Sequence, residues 1–187
     1  MLMKIRICGA RAFVQHTLRT HSFAVEFDQW ASMAEFVTLR PGVDAAICGI
    51  KVTAAPQTHG GDSYGYRFER DGKSFVCSTD SEHKPDNVQE TARFVEFFRA
   101  ADLVVFDALC SLADSVSVKA DWGHSSNIVG VELAQAKRLY QFHHEPMFSD
   151  EAILNRWRET QHDEAITRPG DLPLEILSAY DALETTL

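Results

Sequence analysis

Thr58-His59-Gly60-Gly61-Asp62-Ser63-Tyr64-Gly65-Tyr66-Arg67-Phe68 is the stretch on which the reading of this sequence turns. A histidine stands beside two glycines where an apolar alternation stops, and alternation resumes at Tyr64. The run before it, residues 46–55, places Ile47, Ile50 and Val52 at apolar positions. The run after it, 64–69, leads to Asp71-Gly72, a strong hairpin signal, and then to a further strand over 73–78. Residues 4–8 and 36–39 read as shorter strands, the second stopped by Pro41-Gly42. Residues 11–20 read as a short helix with Phe13, Val14 and Leu18 on one side. The first half is therefore expected to be antiparallel β.

The second half changes character. Residues 86–99 have helical periodicity through Val88, Ala92, Val95 and Phe98, with Pro85 just before them. The continuous apolar run 103–106 is the mark of a strand buried on both faces. A short helix is expected over 127–135, capped by Ser125 or Ser126, followed by a strand over 137–142. Ser149 caps a helix that begins at Asp150, and residues 173–178 close with a strand. With no repeat, linker or low-complexity segment, the economical reading is one α/β domain over residues 1–187.

Composition narrows the function classes. The chain has 187 residues, 45% hydrophobic and 24% charged, which suits a globular domain with a real core. A formal net charge of -9 disfavours wholesale electrostatic binding to a nucleic-acid backbone, so an RNA or nucleotide substrate would need metal ions to supply the attraction. The four cysteines, Cys8, Cys48, Cys77 and Cys110, form no paired motif and read as reduced thiols in a reducing compartment. No signal-type segment opens the chain and no apolar run approaches the ~20 residues that span a bilayer. The expectation is a cytoplasmic protein without a membrane partner.

Polar residues after apolar runs mark where chemistry collects in such a fold. These are Thr58-His59-Gly60-Gly61, Thr79-Asp80-Ser81-Glu82-His83, Asp107, Trp122-Gly123-His124-Ser125-Ser126 and His143-His144-Glu145-Pro146. Taken singly, His59 is an ordinary loop residue and Asp80 an ordinary turn residue. The tandem His143-His144 after a buried strand is harder to set aside, because buried histidines are costly unless paired or ligated. Imidazole and carboxylate together are the donor set for Zn²⁺, Mn²⁺ or Fe.

These segments resemble the metallo-β-lactamase superfamily, in its ribonuclease Z and phosphodiesterase-like branch. The stretch 58–68 resembles the family's His ligand before a Gly-Tyr-Arg strand, and Phe75-Val76-Cys77-Ser78-Thr79-Asp80-Ser81 the strand ending in a bridging Asp. Asp121-Trp122-Gly123-His124-Ser125-Ser126 is similar to the family's Gly-His-Ser-Thr loop, residues 137–146 to its final strand and terminal His, and Ala179-Tyr180-Asp181 to its common ending. The resemblance implies a four-layer αββα sandwich. It also implies that His59 binds one metal, Asp80 bridges, His143 binds a second, and His124 acts as catalytic acid or charge stabiliser, with Thr79 or Ser81 supporting Asp80. Glu82, His83 and His144 are auxiliary candidates for the metal. The metals in such a site lower the pKa of a water and hold developing negative charge.

The family's His-x-His-x-Asp-His string is found nowhere in the sequence, and His16 and His21 do not replace it. The expectation is thus an N-terminally incomplete fold, the C-terminal two-thirds of the usual domain, with partial occupancy by Zn (or Mn or Fe) and weak hydrolysis. The substrate expected is a small phosphodiester or ester, cyclic nucleotides and lactones included. A sheet edge and apolar face left open would favour homo-oligomers. The competing reading is a non-catalytic homologue or fragment that serves binding or assembly.

Overall fold

Strand and helix formers alternate along the chain, and the computed structural model follows that alternation. It describes residues 5–9, 34–84, 86–115, 117–168, 170 and 173–187. The expected helix over 11–20, and with it His16 and His21, lies outside the described residues. β1 (Ile5–Gly9) and β2 (Ala34–Thr38) pair in parallel as a two-stranded unit. The main sheet has seven strands in sequence order, β3 (Ala45–Ile47), β4 (Ile50–Pro56), β5 (Tyr64–Arg70), β6 (Lys73–Ser78), β7 (Leu103–Asp107), β8 (Arg138–Phe142) and β9 (Glu175–Ser178).

The pairing from β3 to β6 is antiparallel and that from β6 to β9 is parallel. Parallel neighbours need crossovers. These are supplied by α1 (Val88–Phe98), by α2 (Leu112–Ser115) with α3 (Asn127–Leu133), and by α4 (Asp150–Thr167). The Asp71-Gly72 hairpin forms as the sequence indicates, with both residues at positive φ (52° and 74°). The run 46–55 instead splits into β3 and β4. Cys48 and Gly49 turn the chain at φ 51° and 79°, the two-residue hairpin geometry, and Cys-Gly is a poor sequence signal for it.

Alternation along the strands decides which face is covered. Val76, Val104, Phe106, Leu139 and Ile176 point to the helices and pack with Phe94, Phe98 of α1 and Val129, Leu133 of α3. Gly130 lies flat on Phe106; a Cβ there would come within 2.7 Å of the ring. Ser126, rather than Ser125, caps α3 by accepting from the Val129 amide, and Ser149 does the same for α4 through Ala152. No helix among the described residues is long and apolar enough to cross a membrane.

Strand direction places the site. β4, β6, β7 and β8 all run the same way, so their carboxyl ends share one edge of the sheet. The loops leaving that edge carry His59, Asp80, Asp107 and His143 in chain order.

Candidate metal centre

Two of these residues sit in backbone conformations that non-glycine residues seldom adopt. Asp80, just past β6, has φ 53°, and His143, just past β8, has φ 56°. Such positions persist where surrounding contacts over-determine them. For Asp80 the contacts are visible: its amide donates to Asp107 Oδ2 at 3.0 Å, and Ser63 Oγ donates to its carbonyl at 3.1 Å.

The turn directs the Asp80 carboxylate between two imidazoles. Oδ1 is 3.3 Å from His143 Nε2 and 4.0 Å from His59 Nε2. His124 completes the cluster, its ring stacked on His143 at 4.9 Å and edge-on to His59 at 5.1 Å. Ligand atoms of His59, Asp80 and His124 lie within 4.8 Å of one another, as do those of Asp107, His124 and His143. His124 belongs to both groups.

Hydrogen bonds fix which ring nitrogens remain available. His59 Nδ1 lies 3.0 Å from the Gly60 carbonyl oxygen, an acceptor, so Nδ1 carries the proton and Nε2 is left as a donor to metal. His124 Nδ1 is 2.8 Å from Asp107 Oδ2 in the same fashion, which frees its Nε2. His143 Nδ1 is buried and has no partner among the described residues. An imidazole nitrogen shut off in this way, beside a carboxylate and two further histidines, fits a metal-binding cluster better than a packing role. The nitrogen-oxygen donor set suits Zn²⁺ and its neighbours.

Asp107 is the residue to which sequence reasoning gave no role. Wholly buried at the end of β7, its carboxylate accepts from the amides of Asp80, Leu109 and Ser125 and holds His124. It ties Asp80 to the histidine loop. A position directly after a buried strand was the only signal for it.

The auxiliary candidates stand outside both groups. Glu82 is buried, and its two oxygens accept from the amides of Asp121 (3.1 Å) and Gly123 (3.2 Å), pinning the loop that presents His124. Ser125 Oγ, which donates to Ser81 O and accepts from His83 N, adds a second staple. Gly123 has φ 84° and lies so close to His59 that a Cβ would meet its Cδ2 at 2.6 Å. His83 is enclosed by Phe94 and Phe106, and burial pushes its pKa down to about 3. His144 Nε2 meets Ser178 Oγ at 3.1 Å, and burial, first among several causes, lowers its pKa. Of the two residues expected to support Asp80, Thr79 donates to Oδ2 at 3.3 Å, while the Ser81 hydroxyl is buried without a partner among the described residues.

The fold is found in solved structures. The chain superposes on the metallo-beta-lactamase fold protein YhfI from Bacillus subtilis with TM-score 0.67 at 15% identity, covering 94% of this chain and 62% of that one. It superposes on Zn(2+)-bound PqqB from Methylobacterium extorquens with TM-score 0.67 at 13% identity, covering 98% and 65%. Against the short form of human tRNase Z the TM-score is 0.56 at 19% identity, covering 97% and 67%. The chain therefore spans less than two thirds of the first two structures. No curated relative matches it in sequence. The match of the beta-lactamase superfamily domain to residues 2–144, on a sheet whose strand ends gather histidine and aspartate as described, shows that the chain belongs to that family.

Proposed function

We propose that this chain carries the metal-binding and proton-transferring side of a phosphodiesterase-like hydrolase acting on a small phosphodiester or ester. The observation that carries the reading is the placement of Asp80 Oδ1 between His143 Nε2 (3.3 Å) and His59 Nε2 (4.0 Å), with the His124 ring against both imidazoles. A neighbour of the same fold is Zn²⁺-bound and another is a tRNase, which supports metal-assisted phosphodiester chemistry as the first hypothesis.

A bound ion would supply charge neutralisation at the scissile group and an acidified water. His59 through Nε2, Asp80 through Oδ1 and His143 would hold it, with Asp80 placed to reach both histidines. His124, whose Nδ1–H is engaged by Asp107, would accept at Nε2 the proton released by the attacking water and pass it to the leaving oxygen. Asp107 keeps that ring in one tautomer and one orientation. Three to five donors make a shallow site for two ions, so partial occupancy and slow turnover by this chain alone are part of the proposal.

Bis-p-nitrophenyl phosphate with added Zn²⁺ or Mn²⁺ tests it. Metal-dependent release of nitrophenol, abolished by chelator and by Asp80→Ala, is the expected result. Release that is unaffected by both contradicts the reading. The second reading, a non-catalytic binding module, draws on one observation, the lack of any His-x-His-x-Asp-His string in the sequence. It predicts metal binding without turnover.

A further inference from the structure

One cation near the carboxyl end of β7 has no part in the chemistry proposed above. Arg156 stands in the second turn of α4, half-buried. Its Nη2 donates to the carbonyl oxygens of Ala108 (3.3 Å) and Cys110, and to Asn127 Oδ1 at 3.0 Å. The guanidinium lies over the Phe148 ring, 4.9 Å from its centroid. Taking a cation out of water is costly unless its donors are met, and here backbone and amide oxygens meet them.

Those oxygens belong to the segments that carry the site. Ala108 directly follows Asp107, and its amide donates at 2.8 Å to the carbonyl of Phe142, the residue before His143. The Cys110 amide donates at 3.0 Å to the carbonyl of Ser125, the residue after His124. Asn127 opens α3 at the end of the His124 loop. Arg156 therefore grips the chain where the Asp107, His124 and His143 segments meet. Asn127 Nδ2 and Gln141 Nε2 both donate to Thr160 Oγ1 at 2.7 Å, and all three residues are buried. Thr160 fastens α4 to α3 and β8, while the Arg156 side chain reaches the backbone that follows Asp107. The 2.8 Å contact between Asp107 Oδ2 and His124 Nδ1 is sensitive to that backbone, because a hydrogen bond weakens steeply as it leaves the line of the N–H.

Resting on the reading of the neighbouring cluster as a hydrolytic centre, we propose that Arg156 is a positioning residue for the Asp107–His124 pair. It touches neither substrate nor metal. By tying Ala108, Cys110 and Asn127 to α4 it holds the Asp107 carboxylate in line with His124 Nδ1–H, and so aims His124 Nε2 at the reacting group.

The imidazole N–H resonance of His124, read by proton NMR on the metal-free protein and assigned by its loss in His124→Gln, reports the pair without any need for turnover. Arg156→Met is expected to abolish or broaden this signal. With saturating Zn²⁺ it should lower kcat toward bis-p-nitrophenyl phosphate by up to about 10²-fold, with KM little changed. Arg156→Lys keeps the charge and three donors, so it should restore part of both, and it carries the test if the methionine variant does not fold. Thr160→Val, in the same network but without contact to the Asp107 segment, should lower the melting temperature and leave the signal in place. The proposal is overturned if the signal survives in Arg156→Met, or in the lysine variant when only that one folds at the same strength as in the wild type. It is equally overturned if Thr160→Val loses the signal as fully, since packing would then account for the effect. A signal that depends on Arg156 in a protein that never cleaves the phosphodiester keeps the positioning role and sinks the hydrolytic reading alone.

Discussion

Asp107 shows how a wholly buried side chain can govern a site through the groups it holds. It accepts three amides and one imidazole, so replacing it by Asn turns one acceptor oxygen into a donor facing a donor. Asp107→Asn is expected to lower kcat toward bis-p-nitrophenyl phosphate by on the order of 10²–10⁴, the range of a lost acid-base contribution. Thermal unfolding should register about 1–3 kcal/mol from the unsatisfied buried groups. His83 carries a pH dependence of its own. Its folded pKa of about 3 lies below the ordinary 6.5, so in that window the unfolded chain takes up a proton that the native ring refuses. Its neutral burial therefore does not weaken the fold above pH 6.5, and stability falls as pH drops toward 3, by up to about 1.4 kcal/mol per pH unit. Urea unfolding across this acid range should show that slope in the wild type and a flatter one in His83→Phe. The sequence named His59, Asp80 and His143 because each follows a strand in a recognisable string, and His124 from its Gly-His-Ser loop. It assigned nothing to Asp107, whose importance lies in partners from positions 80 and 124 that no local pattern connects, and it left Glu82 and His83 as spare ligands because spacing does not reveal direction.

Elements, more than residues, were legible in the sequence. The α1 periodicity, the Asp71-Gly72 hairpin and the Ser149 cap all stand where local chemistry puts them. The misread element is the β3–β4 hairpin, where alternation continues across Cys48-Gly49 and hides the turn. The four-residue α2 was not anticipated, since one turn leaves no periodicity to detect. For α3 the sequence offered two caps, and the choice of Ser126 follows from Ser125 being engaged by Ser81 and His83. Ser126→Ala should therefore destabilise the domain by about 1 kcal/mol, read as a shift in denaturant midpoint, because a buried helix start loses its acceptor. Because α3 directly follows the His124 loop, the same variant should also weaken metal binding; unchanged metal affinity would show that Glu82, Ser125 and Asp107 hold the loop without the cap.

At the scale of the molecule, one sheet edge collects the chemistry because β4, β6, β7 and β8 share a direction, and the switch from antiparallel to parallel pairing falls at β6, next to Asp80. The helices cover one face and bury Val76, Val104 and Leu139 completely, which gives the strand ends a rigid support. That arrangement was readable in outline, since hairpin signals fill the first half and helix-strand alternation the second. The convergence of four loops was read from the family resemblance and not from spacing. The central claim is that these loops make a metal site. Calorimetric titration of the metal-free protein with Zn²⁺, alongside Asp80→Ala, measures it directly. The account expects saturable binding of at least one ion in the wild type, weakened by about tenfold or more when Asp80 loses its carboxylate. Wild-type and Asp80→Ala proteins that bind Zn²⁺ alike, or not at all, would contradict it.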